Sequence, residues 1–409
     1  MNLSLKLAWR NIWRQRRRTW LTALAIIFSN SLLVFMISLQ FGSYDMMINN
    51  TLQTLSGHIQ IQHPKFNEDQ RMRFTLPRIR TLAADLRSAL GTVQLAARAE
   101  TFALASSEQR SFGIRVLGVE PRYERGVSTL PGLVNKGRYL EDGAAPEIVI
   151  GSVLARNLKV TTGDEITLLG SDLQGGFAAA TATVVGIIDS GSADIDRTVA
   201  EIPLAWFQEL FAMDGQGHAI VIRCPDLSRV DDIMIRIRDL LGSDFTWALR
   251  NWEALQPGLK QAIQADMSSA WFMYGVLIIL VSFSMLNTML MSVLERTREF
   301  GVLMALGIRP GKLASLVIFE TILIAGLGLL IGAALGWMLT LYFHQVGFSY
   351  PGMEQMARRF NLPERMYPGV TAFTVFLGPG VVFAFSVLAA AYPALRLFRV
   401  QPVAAMHAV

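Results

Sequence analysis

Residues 285–336 read MLNTMLMSVLERTREFGVLMALGIRPGKLASLVIFETILIAGLGLLIGAALG. An apolar run ends at Val293, and a polar insert follows with Glu295, Arg296, Arg298 and Glu299. A short amphipathic piece comes next, with Phe300, Val302, Leu303, Ala305 and Leu306. Gly307 and Pro310 break it, because neither residue continues a helix without cost. A second apolar run begins at Leu313. Two membrane-length segments joined by a compact, charged, helix-like loop suit a loop that a partner grips. A lone Glu-Arg pair would read as a solvated face; an ordered pattern between two spans does not.

Working outward, the chain of 409 residues is 52% hydrophobic and 17% charged, more apolar than an ordinary soluble protein. The apolar residues are concentrated in runs at 19–42, 267–294, 313–343 and 370–395. Each is long enough to cross roughly 30 Å of hydrocarbon. Four spans are expected, with a large segment at 43–266 between the first and second that is long enough for its own core. Lys6, Arg10, Arg14, Arg16, Arg17 and Arg18 crowd before the first span, with no acid among them. Arg296, Arg298, Arg309 and Lys312 lie between spans two and three, and Arg396 and Arg399 follow span four. The positive-inside rule puts these regions, and both termini, in the cytosol. Segment 43–266 and the loop 344–369 then lie outside, on the periplasmic side of a bacterial inner membrane. The net charge of +5 is explained by that bias, so nucleic acid is not an expected partner. The single cysteine, Cys224, excludes an intramolecular disulfide and leaves the redox compartment open.

Residues 1–18 place Leu5, Ala8, Trp9, Ile12 and Trp13 at helical spacing, with basic residues on the remaining face. This pattern fits an interfacial helix in contact with membrane lipid. The apolar run behind it is too long for a secretory signal and has no small-x-small cleavage site, so it reads as an uncleaved anchor. Span one carries Ser29, Asn30, Ser31 and Gln40; interhelical packing is the expectation for these, with a transport path as the alternative. Asn287 is a further polar residue within a span. In span three Gly328, Gly332 and Gly336 recur every fourth residue, a spacing that lets another helix approach closely. Glu320 is that span's lone acid, and so it is expected to face protein or water in a structural hydrogen bond.

Segment 43–266 reads as mixed α and β. Residues 57–61 alternate like a strand, 78–90 have helical spacing and 93–105 look extended; 217–222, 228–241 and 245–250 repeat that order. The simplest architecture is a membrane-proximal lobe from 43–105 and 213–266, with a β-rich lobe, 106–212, inserted into it. The amphipathic lead-in from Leu255 to Met267, continuous with span two, would tie outer motion to the cytosolic loop.

The pattern of the opening stretch resembles the signature of MacB/FtsX/LolC-type permeases of ABC transporters, roughly N-x-x-x-x-S-V-x-E-R-x-R-E-I-G-x-x-x-A-x-G-A. It stands here as Asn287, Ser292, Val293, Glu295, Arg296, Arg298, Glu299, Phe300, Gly301, Ala305 and Gly307, with Phe300 at the usual Ile. The run RRRTWLTALAI, the phrase VNKGRYLEDGAAPEIVIGSVLARNLKVTTGDEITL and the closing Pro393, Ala394, Pro402 and Ala405 are similar to the same family. Ala404 replaces the usual acid of the tail and Leu397 the usual small residue. The resemblance implies an α-helical membrane protein with four transmembrane helices and a large two-lobed α+β extracytoplasmic domain. It implies that segment 295–312 is the coupling helix seated in an ATPase subunit, through Glu295, Arg296, Arg298, Glu299, Phe300, Gly301, Ala305 and Gly307. It also implies a second copy or a sibling permease, and a periplasmic adaptor or carrier protein as a further partner. The tail 396–409 closes the chain.

Catalytic and cofactor motifs are not found. Gly307-Ile-Arg-Pro-Gly311-Lys312-Leu313 lacks the spacing and the Ser/Thr of a phosphate-binding loop. The histidines 58, 63, 218, 344 and 407 show no paired metal-ligand spacing, and Asp189, Asp194 and Asp196 do not have that of a calcium loop. No nucleophile elbow appears. ATP and magnesium are therefore expected in a separate partner ATPase, with no cofactor on this chain. Two readings stay open: an exporter of an amphipathic cargo (lipoprotein, lipopeptide or drug-like molecule), or an FtsX-like signalling subunit that controls an envelope hydrolase or senses a ligand.

Overall fold

The computed structural model describes residues 10, 13, 14, 16–91, 93–242, 247–353 and 365–399. Most of the expected interfacial helix 1–18, and the tail beyond 399 with Pro402, Ala404 and Ala405, lie outside the described residues. The chain opens with helix α1 (Arg16–Thr51). Strand β1 (Ile59–Gln62), helix α2 (Ile79–Leu90) and strands β2 (Gln94–Ser106) and β3 (Ser111–Val119) follow. Strands β4 (Val134–Gly137), β5 (Glu147–Gly151), β6 (Glu165–Ser171), β7 (Phe177–Ile188) and β8 (Val199–Pro203) come next, with short helices between them. Strand β9 (Ala219–Arg223), helix α3 (Val230–Leu241) and strand β10 (Ala248–Asn251) complete the α+β part. Helices α4 (Pro257–Glu295), α5 (Thr297–Ala305), α6 (Pro310–Val346) and α7 (Ala372–Arg396) end the described chain. Residues divide into a helical unit, reaching to Tyr44 and resuming over Ile263–Tyr350 and from Arg365, and a second unit, mainly Asp45–Ala262.

In the second unit β2 serves two sheets. Its first half pairs with β9 at Gln94–Arg98, and β9–β1–β10 extend that antiparallel sheet. Its second half pairs with β3 over Arg98–Ser106. From β3 the pairing runs through β8, β5 and β7 to β6, and β6 returns to β2 at Leu104↔Leu169, so six strands close a ring. Closure removes free edges. One face of this ring is lined by Ala103, Ala105, Ile114, Val116, Ile148, Ile150, Ile166, Leu168, Ala182, Val184 and Ala200, all in one buried cluster. The same cluster holds Ile59, Ile61, Leu95, Ala97, Ile220 and Ile222 from the four-stranded sheet. Helix α2 covers them with Ile79, Ala83, Leu86 and Leu90, and α3 with Val230, Ile233 and Ile237, each set a single helical stripe.

The expected lobe boundary at 105/106 falls at the end of β2, while that strand changes neighbours earlier. The changeover on β2 falls at Arg98, inside a continuous strand, because that strand must donate to both neighbours. Arg98 itself is buried, with its guanidinium on the Glu124 carboxylate and the Leu55 carbonyl. Glu201 on β8 is fully buried beside them and accepts from the Tyr139 hydroxyl at 2.8 Å. Burial first, and the nearby Glu124 charge second, raise its carboxyl from 4.5 to about 7.

In the helical unit α1, α4, α6 and α7 are each long and apolar enough to cross a membrane. The glycine stripe of α6 lies on α1. A Cβ on Gly332 would stand 2.6 Å from Cβ of Asn30 and 2.8 Å from the Ile27 carbonyl, and one on Gly336 would stand 2.7 Å from Cβ of Val34. Gly328 meets Ile26. Contacts advance together along both helices, so α1 and α6 are parallel. Gly369 meets Gly42 while Gly378 meets Leu33, so α7 runs antiparallel to α1. The starts of α1 and α6 and the end of α7 therefore share one side of the bundle. Asn30 is buried at the α1–α6 contact, and its amide atoms have no hydrogen-bond partner among the described residues. Asn287, by contrast, is exposed on α4.

Two outcomes are expected. Gly332→Leu should destabilise the bundle by roughly 1–3 kcal/mol or more, since backbone and Cβ atoms already fill the space, read as a lower unfolding temperature in detergent. Because the folded state holds the Glu201 proton more tightly than the unfolded chain does, the stabilisation is fully present below about 4.5 and is lost as pH rises through about 7. Glu201→Gln should leave acid stability unchanged and raise the unfolding temperature above neutrality.

Candidate functional site

The loop between α4 and α6 is built from a helix with an inner and an outer face. Helix α5 covers Thr297–Ala305, shorter than the expected coupling segment 295–312. Glu295 closes α4, and Arg296 stands between the helices. Gly307 ends the turn at φ +91°, a conformation that favours glycine. Pro310 opens α6, so residues 310–312 belong to the following span.

The inner face is pinned by packing and by charge. Phe300 is 1% exposed and clusters with Val293, Leu313, Val317 and Leu397, which come from α4, α6 and the turn after α7. Gly301 is buried beside it. Arg296 donates through Nη1 to Glu320 at 3.0 Å, with the two side chains only 10% and 7% exposed. It also reaches Glu299 at 3.3 Å, and its guanidinium lies 5.1 Å from the centre of the Phe300 ring. The acid inside α6 thus has its cation across the break between two helices. Arg14, before span one, pairs with Glu299 from the other side. Burial works against ionisation of Glu299, but hydrogen bonds from Arg14 and Arg296 win and hold its carboxyl below the usual range.

The outer face is open. Glu295, Arg298, Ala305 and Gly307 are exposed, as are Val302 and Leu306, the latter at 76%. Small, apolar and charged residues alternate on this face. Of the residues singled out in this loop, Arg296, Phe300 and Gly301 face the bundle, while Glu295, Arg298, Ala305 and Gly307 face away. Glu299 bridges the two.

The arrangement of four apolar helices, an α+β unit after the first and a short helix between the second and third has a match over nearly the whole chain. The sequence model of the MacB-like periplasmic core domain matches residues 19–240, more than half of the chain. The chain belongs to this family of permeases. The model of the FtsX-like permease C-terminal matches 271–402 and takes in the loop between α4 and α6. A LolC transmembrane protein of a lipoprotein-releasing system, from Xylella fastidiosa, is 24% identical over 71% of this chain and 72% of its own length. A macrolide export ATP-binding/permease protein MacB from Rhodospirillum rubrum is 23% identical over 99% of this chain, which spans 60% of that protein. The periplasmic region of MacB from Actinobacillus actinomycetemcomitans superposes with a TM-score of 0.37 and 12% identity, covering 52% of this chain and 97% of that one. The fold is that of an MacB-type ABC transporter permease: four transmembrane helices with a large extracytoplasmic α/β domain between the first and second.

Sequence reading had left two roles in this loop open or unseen. For Glu320 the expectation is a structural hydrogen bond with no named partner; the bundle supplies Arg296, 24 residues earlier, past the nearer Arg298. Arg14 was read only as part of the charge bias. Breaking the pair by Arg296→Met or Glu320→Leu alone should cost about 1.5–3 kcal/mol, the loss of one charge-assisted hydrogen bond in a poorly hydrated place. The double replacement should recover most of that loss, as a thermal-unfolding cycle in detergent would show.

Proposed function

We propose that this chain is the mechanical half of a transport machine whose ATPase is a separate subunit. The ATPase binds ATP and magnesium and grips the outer face of α5. Its closure moves the helical bundle, and α4, unbroken over Pro257–Glu295, carries the movement toward the extracytoplasmic domain. The observation that carries this reading is the two-faced helix α5: an inner face fixed by Phe300 and the Arg296–Glu320 pair, and an outer face that offers Val302 and Leu306 to solvent. A loop with no partner has no reason to expose two large aliphatic side chains beside ordered charges.

A second permease, either a copy or a sibling, completes the assembly. Asn287 presents an amide on the outside of the bundle, where lipid offers it no hydrogen bond. A neighbouring permease would. The names of the relatives, lipoprotein-releasing system and macrolide export, support an amphipathic cargo leaving the inner membrane, with both termini cytosolic and an adaptor or carrier outside.

Leu306→Asp combined with Val302→Asp should abolish co-purification of the ATPase in mild detergent and leave the unfolding temperature unchanged, since neither side chain is buried. Retention of the ATPase by that variant would remove α5 as the coupling element. Mass spectrometry of molecules bound to the wild-type assembly separates export from signalling: lipid-linked or drug-like cargo for the first, an envelope hydrolase without cargo for the second.

A further inference from the structure

The four-stranded sheet has one apolar face under helices α2 and α3; on its other face Ala96 and Val221 pack against Val127, and polar side chains gather toward the Gln62 end. Gln62 on β1 sits opposite Ala219, and Ala219 opposite Arg98 on β2. Two residues further along β2 is Glu100, which sits opposite Leu117 on β3, and Arg115 follows on the same face. These side chains line a cavity of ≈ 140 Å³, walled by Ser56 and the Phe66–Gln70 stretch.

Some of the lining is already committed to the protein. Arg98 holds Glu124 and the Leu55 carbonyl. His218 accepts the Glu100 N–H on Nδ1 at 2.9 Å and donates from Nε2 to the Met72 carbonyl at 3.0 Å. Phe66 stacks on its ring at 4.8 Å. Burial lowers the His218 pKa to about 4, so the ring is neutral and adds no charge.

The rest of the lining is not committed. Gln62 is 1% exposed, and its amide nitrogen has no hydrogen-bond partner among the described residues; the same is true of the Ser56 hydroxyl. Neither the Glu100 carboxylate nor the Arg115 guanidinium makes a hydrogen bond or ion pair among the described residues. Burial pushes the Glu100 carboxyl up, with Arg115 and then Arg98 working against the rise. A buried donor left unpaired costs about 1–3 kcal/mol, and the opposite face shows that this sheet can be packed with apolar residues throughout. A cation, an anion and an amide donor converge instead on one small space. Its volume is below the roughly 300–1,000 Å³ of pockets for drug-sized ligands, so a lipid or macrolide does not fit.

We propose that this pocket binds a small zwitterion of the amino-acid class, its carboxylate held by Arg115 and the Gln62 amide and its ammonium by Glu100. The site is distinct from any cargo path and makes the extracytoplasmic domain responsive to a soluble small molecule. It does not depend on the transport reading.

The test is calorimetric titration of the purified full-length protein in detergent with the common L-amino acids, and with propionate and ethylamine as single-charge controls. Saturable binding of at least one amino acid, with neither control binding, is expected. Arg115→Gln and Glu100→Gln should each weaken that binding roughly tenfold or more, the loss of one charge-assisted hydrogen bond, and Gln62→Leu should weaken it less. Absence of binding by every amino acid to the wild-type protein would overturn the proposal, as would equal binding of a single-charge control. Because the wild-type panel decides by itself, a variant that fails to fold does not blunt the test.

Discussion

Arg296 and Glu320 meet where neither has ready access to water, and the order of the loop between α4 and α6 follows from that meeting. A carboxylate inside an apolar helix is costly alone, and so is a guanidinium under a helix turn. Their 3.0 Å contact lowers that cost for both. The pair therefore sets the angle at which α5 leaves α4 and returns to α6, and Phe300 fills the space that the angle creates. The outer face of α5 inherits its position from this buried contact. Residues on that face can vary in chemistry while their placement stays fixed.

A different constraint governs the extracytoplasmic domain. Strand β2 is a member of two sheets, and the ring closes on it through only three paired positions of β6. Arg98 marks the changeover and is paired with Glu124, and Glu201 beside them is protonated more readily, first because it is buried and then because the Glu124 charge is near. The division of labour is clear: apolar packing holds the ring and the helix-covered face, while a small set of charges occupies the opposite face near the point where the two sheets join.

Much of this was legible in the sequence, for specific reasons. The four spans could be read because hydrocarbon thickness dictates length, and the short helix between the second and third because Gly307 and Pro310 punctuate it. The stripe of Gly328, Gly332 and Gly336 declared close packing by spacing alone, although not that α1 was the partner. Strands and helices at 57–61, 78–90, 93–105 and 217–250 showed their periods. Ring closure was invisible, because Leu104 and Leu169 are brought together only by the turns between them, and nothing local marks Arg98 as a boundary. Arg14 and Glu299 lie far apart in sequence, and only the bundle places them side by side. The exposure of Asn287 likewise depends on which face of α4 the neighbours leave uncovered.

The contact of α1 with the glycines of α6 also bears on where the bilayer can be breached. Two parallel helices whose backbones are separated by less than a side chain leave no slot for an acyl tail, so this seam is sealed to lipid. Helix α4 differs: it turns Phe272, Phe283 and Met291 outward, so the flank of the bundle left open to acyl chains or to another apolar helix lies there.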